Sequence, residues 1–312
     1  MKPQFRGTGI AIVTPFTLNG EIDFDALEKI IEFQISGGID YLVSLGTTGE
    51  AITLSFEECL SVLKFTKNIV RERVPIIAGL FGRNDTRALV EKIKSFNFEG
   101  YAGILSSSPA YNKPSQEGIF QHYMEIAKVS PVPIIIYNVP SRTSSNINAE
   151  TIIRLANTSE KFVAVKDASG DLVQGMKIIK NKPAHFSVLS GDDPTCLPLL
   201  ACGGDGVISV IANAFPREFS TMINAGLEGD LKTANYINEA FLDIHQWLYI
   251  EGNPVGIKGA MELLNFCQRN VRLPLVRLSI TNLGNLKLEM DKAKDAVKKN
   301  LVEVRNELVL SK

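Results

Sequence analysis

The chain has 312 residues, 45% of them hydrophobic and 21% charged, with a formal net charge of −1. Such a composition excludes a disordered chain, and the 33 basic residues are scattered without forming a concentrated stretch, which argues against nucleic acid or an anionic membrane as a partner. The length suits two average domains or one large barrel with an appendage.

At the amino terminus, Met1 to Arg6 hold no apolar signal core, and no later run is both long and charge-free enough to span a bilayer, so a cytoplasmic location is expected. Apolar, β-rich segments then recur, each followed by a helical pattern, the alternation expected of a parallel sheet. Eight such segments are expected: Gly9 to Phe16, Tyr41 to Gly46, Pro75 to Leu80, Gly100 to Ser107, Pro133 to Val139, Phe162 to Lys166, Phe186 to Ser190 and Gly206 to Val210. Helix starts fall at Ser55, with Glu58 completing a capping box, and at Asp85, Ser115, Asn148, Asp171 and Asp193, the last with Pro194 at the first helical position. Eight βα units suit a (β/α)8 TIM barrel better than a doubly wound sheet, and no GxGxxG or GxxxxGK[ST] turn occurs. The Gly203-Gly204-Asp205-Gly206 stretch precedes the eighth strand and reads as a tight turn. The pattern divides into a catalytic barrel over 1–228 and a C-terminal helical appendage over 229–312, with helices at Leu231 to Ile250, Pro254 to Cys267 and Leu286 to Leu308. Cys59, Cys196, Cys202 and Cys267 lie far apart, and the three histidines are equally dispersed, so neither a disulfide framework nor a local metal site is indicated, and no cofactor is expected.

In a barrel, residues just after each strand share one face, where ligands bind. Lys166 ends the apolar run Phe162-Val163-Ala164-Val165, and a lysine desolvated there can lose its proton and attack a carbonyl. A strand-end lysine more often snorkels to solvent, so its surroundings decide. The second strand leads into Gly46-Thr47-Thr48-Gly49-Glu50, whose hydroxyls and amides can hold a carboxylate, because Ser55 already caps the next helix. Tyr111 and Tyr137 follow the fourth and fifth strands, either as core aromatics or, with Thr47, as a hydroxyl relay. Arg142 is either a solvated loop charge or a bidentate clamp for a carboxylate. The seventh strand contributes Gly191-Asp192-Asp193 and the eighth Ile208-Ser209. An iminium on Lys166 would acidify the adjacent C–H, so enamine formation and attack on an aldehyde would follow without a metal.

The ordered blocks AIVTPF (from Ala11), GTTGE (from Gly46), YNKPSQEG (from Tyr111), YNVPSRT (from Tyr137), VKDASG (from Val165), LSGDD (from Leu189) and GVISV (from Gly206) run over nearly the whole chain. In these the sequence resembles the pyruvate-dependent class I aldolase family that includes dihydrodipicolinate synthase and N-acetylneuraminate lyase. The resemblance implies that Lys166 forms a Schiff base with pyruvate and that Tyr137 is the general acid/base, linked to Thr47 and to Tyr111 from a neighbouring subunit. It further implies that Thr48, Ile208 and Gly191 help form the pyruvate site and that Arg142 binds the carboxylate of L-aspartate 4-semialdehyde, in the diaminopimelate route to lysine. The assembly implied is a homotetramer made of two tight dimers. Arg142 favours this aldehyde over the polyhydroxylated substrates of sister aldolases, and joint retention of the site residues disfavours a catalytically silent ligand-binding barrel. One region departs from the family: where lysine-inhibited members carry polar and aromatic residues in the dimer cleft, this chain has Phe56, Cys59, Ala88 and Ala110, with Asn84 alone retained. Weak or absent feedback inhibition by lysine is therefore expected.

Overall fold

The computed structural model describes residues 5–82 and 84–310. Eight parallel strands close into a barrel in sequential order, β1 (Gly7–Ala11), β2 (Tyr41–Ser44), β3 (Ile76–Ala78), β4 (Gly103–Ser107), β5 (Ile134–Asn138), β6 (Phe162–Asp167), β7 (Ser187–Ser190) and β8 (Gly206–Ser209), with β1 pairing to β8. Between them lie α1 (Phe24–Ser36), α2 (Phe56–Val70), α3 (Thr86–Ser95), α4 (Gln116–Val129), the single turn α5 (Pro140–Thr143), α6 (Ala149–Thr158), α7 (Leu172–Asn181) and α8 (Cys196–Ala201). After β8 come α9 (Pro216–Glu228), α10 (Leu231–Phe241), α11 (Ile244–Tyr249), α12 (Val255–Leu263) and α13 (Ile280–Leu310). The (β/α)8 architecture read from the alternating pattern is present, with the helical C-terminal segment after it.

The strands are apolar on both faces because each is covered twice. Ile10, Leu42, Ile104, Ile136, Val165, Val188 and Val207 pack outward against the helices. Ala11, Val43, Ile77, Leu105, Ile135, Ala164, Leu189 and Ile208 fill the barrel interior. With a side-chain period of 2, this parity aims Tyr137 inward two residues after Ile135, and Lys166 inward two residues after Ala164.

Local signals placed most helix starts. The Ser55 hydroxyl accepts from the Glu58 amide while the Glu58 carboxylate accepts from the Ser55 amide, completing the capping box. Asp85, Ser115 and Asp171 cap their helices through the side chain. Asn148 holds the N-cap position without a side-chain bond. Asp193 departs from expectation: α8 starts after Thr195, because one Asp193 carboxylate oxygen instead accepts from the Val210 and Ile211 amides, both at 2.9 Å, across the top of β8. The first strand ends at Ala11 rather than Phe16, since the Val13 amide leaves the sheet for Asn213 and Phe16 pairs with Ile22 as an isolated bridge. The Leu231 to Ile250 pattern forms two helices, α12 stops at Leu263, and the last helix starts at Ile280. Gly203 in the turn before β8 and Gly206 at the start of that strand both lie at positive φ, and a Cβ on Gly206 would sit 2.2 Å from the Gly7 carbonyl oxygen. Among the described residues no helix is long and apolar enough to cross a membrane.

Candidate active site

Lys166 and Tyr137 are register partners on neighbouring strands, both buried, with the ammonium 4.6 Å from the centre of the Tyr137 ring. Lys166 does not snorkel, being only 4% exposed. Its stem lies against Gly191, where a Cβ would fall 3.0 Å from Lys166 Cγ and Cε and 2.7 Å from the Ala168 Cβ. The glycine after β7 thus leaves the volume that the lysine stem occupies. Ile208 is fully buried in the interior layer together with Leu189 and Tyr137.

Thr47 to Gly49 form one 3-10 turn in which the Gly49 and Glu50 amides bond back to Gly46 and Thr47. Those two amides are therefore engaged, and the Thr47 and Thr48 amides have no protein acceptor among the described residues. From below, the Thr14 hydroxyl donates to the Gly49 carbonyl at 2.7 Å, and a Cβ on Gly49 would sit 3.1 Å from the Ile12 carbonyl oxygen. Thr48 is buried, and its hydroxyl accepts from the Asn253 amide at 3.1 Å.

Arg142 projects from α5, whose start is set by Pro140 at its first position, and donates to the Asn253 carbonyl at 3.1 Å. Asn253 therefore joins Thr48 to Arg142. It escaped the sequence reading, as did Asn138, Asn146 and Gln174, which bond Asp167 and one another behind β5 and β6 and fix the strand ends that carry Tyr137 and Lys166. Asp167 belongs to β6 rather than to the following loop, with its carboxylate in this network. Tyr111 stands apart. Its amide donates to the Thr143 carbonyl, but its side chain is 91% exposed and makes no hydrogen bond to Tyr137 or Thr47. Leu45, Glu50 and Tyr111, all in loops at the carboxyl ends of strands, adopt left-handed backbone with φ of 62°, 53° and 72°. Strain of this kind clusters where loops are held for function.

A cleft of about 1080 Å³ runs from the barrel mouth outward over α2 and α3. Thr47, Tyr137 and Arg142 line its inner part; Phe56, Cys59, Ala88, Lys92 and Ala110 line its outer part. Behind the lining residue Ala110, both polar atoms of the Asn84 amide are engaged with the Ala110 backbone, at 2.6 and 2.8 Å. The Lys92 ammonium lies 5.1 Å from the Phe56 ring centre, and burial pushes the Cys59 thiol up to about 11. No group of three or more His, Cys, Asp or Glu side chains that could hold a metal ion occurs among the described residues.

A parallel eight-stranded barrel with a buried lysine at its carboxyl end, beside a tyrosine that lines a cleft, is the architecture of a class I aldolase, and the protein is a lyase of that class. Residues 4–293 match the model of the Dihydrodipicolinate synthetase family. The chain is 47% identical over 284 residues to the 4-hydroxy-tetrahydrodipicolinate synthase of Parabacteroides distasonis, an alignment covering 91% of this chain and 95% of that protein. Its fold superposes with a TM-score of 0.91 on the 4-hydroxy-tetrahydrodipicolinate synthase of Methylacidiphilum fumariolicum SolV, at 39% identity over 95% of this chain and 98% of that one. A TM-score of 0.89, at 38% identity over 93% and 99% of the two chains, relates it to the chloride-inhibited dihydrodipicolinate synthase from Acinetobacter baumannii, whose crystal structure is complexed with pyruvate. The chain belongs to the dihydrodipicolinate synthetase family.

Proposed function

We propose that the protein catalyses the 4-hydroxy-tetrahydrodipicolinate synthase reaction, condensing pyruvate with L-aspartate 4-semialdehyde on the way to diaminopimelate and lysine. The observation that carries this reading is Lys166, buried at the end of β6 against Tyr137, which lines a cleft together with Thr47 and Arg142. Lys166 Nζ adds to the C2 carbonyl of pyruvate and water leaves, giving an iminium. Its positive charge permits loss of a C3 proton, and the resulting enamine carbon attacks the aldehyde of the second substrate. Tyr137 carries the protons in these steps, with Thr47 and with Tyr111 supplied by a second subunit. The amino group of the joined substrate then displaces Lys166 from the iminium carbon, closing the ring and releasing the enzyme.

Thr48 receives pyruvate, since its hydroxyl accepts from Asn253 and its proton can turn toward a carboxylate. Ile208 and Gly191 shape the wall beside Lys166. Arg142 meets the carboxylate of the semialdehyde at the cleft, where a guanidinium can bind both oxygens. Borohydride added with pyruvate should leave a reduced adduct on Lys166 that is absent from Lys166→Ala; unmodified wild-type protein would refute the Schiff base. Arg142→Ala should form the same adduct yet lose use of aspartate semialdehyde, whereas unchanged aldehyde kinetics would indicate a sister aldolase.

We further infer that lysine does not regulate this protein through the outer cleft. Asn84 is already engaged by the Ala110 backbone, and the neighbouring surface of Phe56, Cys59 and Ala88 offers no carboxylate or amide to the ammonium and carboxylate of lysine. Half-inhibition of the purified enzyme below millimolar lysine would overturn this.

A further inference from the structure

Lys258 is a second buried lysine, and it takes no part in the chemistry described above. It lies on α12 at 0% exposure, with Glu50 opposite at 2%. The ammonium donates to Glu50 Oε1 and to the Asn270 carbonyl at 2.8 Å, and it sits 3.9 Å from the centre of the Phe16 ring. With those contacts its hydrogens are occupied, which separates it from a nucleophile such as Lys166. The other Glu50 oxygen accepts from the Arg272 amide at 3.1 Å. The Arg272 guanidinium reaches the Gly20 and Thr53 carbonyls and grips both oxygens of Glu58 at the start of α2.

Burying two charges carries a desolvation penalty of several kcal/mol per ion, and an apolar pair of similar volume is often as stable. Stability alone therefore does not account for the pair. Its position suggests another purpose. Glu50 closes the Thr47-Thr48-Gly49 turn in left-handed backbone, and its amide donates to the Thr47 carbonyl at 3.1 Å. Fixing the Glu50 carboxylate thus fixes the backbone of Thr47. Asn253, two residues before α12, holds the Thr48 hydroxyl and the Arg142 guanidinium.

We propose that Lys258 and Glu50 are positioning residues, a buried ion pair through which the segment 253–272 sets the placement of Thr47 in the proton-transfer site. This inference rests on the Schiff-base reading above and deepens it. Because Thr48 is held separately by Asn253, loss of the pair acts on turnover more than on pyruvate binding.

Glu50→Asp keeps the charge and withdraws its reach by one methylene, and the double variant Glu50→Gln, Lys258→Met removes both charges together. Each is compared with wild type by thermal unfolding, by borohydride trapping with pyruvate, and by steady-state kinetics. The expected result is folded protein that still forms the Lys166 adduct, with kcat reduced by about tenfold or more and the KM for pyruvate moved less than about threefold. Folded variants with wild-type kcat would overturn the proposal, as would unfolding of both, which would assign the pair to stability alone. If wild-type protein itself forms no adduct, the Schiff-base reading fails first and this role fails with it.

Discussion

Two single residues give sharp tests of how the site is packed. A methyl at Gly191 would press on Lys166 Cγ and Cε and on Ala168, none of which can retreat easily inside a filled barrel. Gly191→Ala is expected to slow adduct formation with pyruvate by roughly tenfold or more and to destabilise the fold by about 1–3 kcal/mol. An unchanged trapping rate would mean that the lysine stem has room to move. His122 is buried, with Nδ1 at 2.7 Å from the Thr86 hydroxyl, and burial pushes its pKa down to about 4. The unfolded chain, with a histidine near 6.5, binds the proton that the folded chain refuses. Stability fully present above pH 6.5 should therefore be lost as pH falls toward 4, by roughly 2–3 kcal/mol from this residue. Urea unfolding at pH 7 and pH 4.5 should show a smaller difference for His122→Gln than for wild type. Lys166 and Tyr137 were legible in the sequence because a period of 2 along apolar strands fixes which side chains point inward. Asn253, Lys258 and Arg272 were not. Their partners Thr48 and Glu50 lie more than 200 residues away in the chain, so no local pattern records them.

Among the elements, those with local causes matched the sequence and those with distant causes moved. The Ser55 cap is local, and Ser55→Ala removes a side-chain acceptor at the start of α2 while leaving the Arg272 grip on Glu58 in place. It should destabilise the protein by about 1 kcal/mol with turnover unchanged at 25 °C, as measured by denaturant unfolding beside steady-state kinetics. A larger loss would show that the cap also governs the loop that precedes it. Asp193 is the contrasting case. Its sequence position before Pro194 reads as a helix start, yet its carboxylate turns to the β8 amides, which no pattern within one segment could announce. Burial raises this carboxyl above its ordinary range, opposed by His245 and by the amides themselves. The same division explains why strand cores were placed well and strand ends less so. Cores follow composition, whereas the early end of β1 follows from Asn213, 200 residues further on.

At the scale of the molecule, one chain holds the Tyr111 side chain out in solvent, apart from Tyr137 and Thr47. Tyr111 is held by its backbone to Thr143, beside Arg142, yet its side chain is 91% exposed, and Ile52 and Phe56 on the cleft are exposed as well. Exposed apolar side chains together with an exposed tyrosine fit contact with a second copy that exchanges tyrosines reciprocally, as two-fold symmetry requires. In such a dimer each site takes Lys166 from one chain and Tyr111 from the other. Lys166→Ala and Tyr111→Phe, each weak alone, should then complement when unfolded together and refolded. A mixed dimer holds one doubly altered site and one with every group intact. Random pairing makes about half of the dimers mixed, so about a quarter of all sites should regain wild-type turnover. Activity no higher than the sum of the two separate variants would place Tyr111 outside the reaction of its neighbour, and the proton path would then have to run through Tyr137 and Thr47 within one chain.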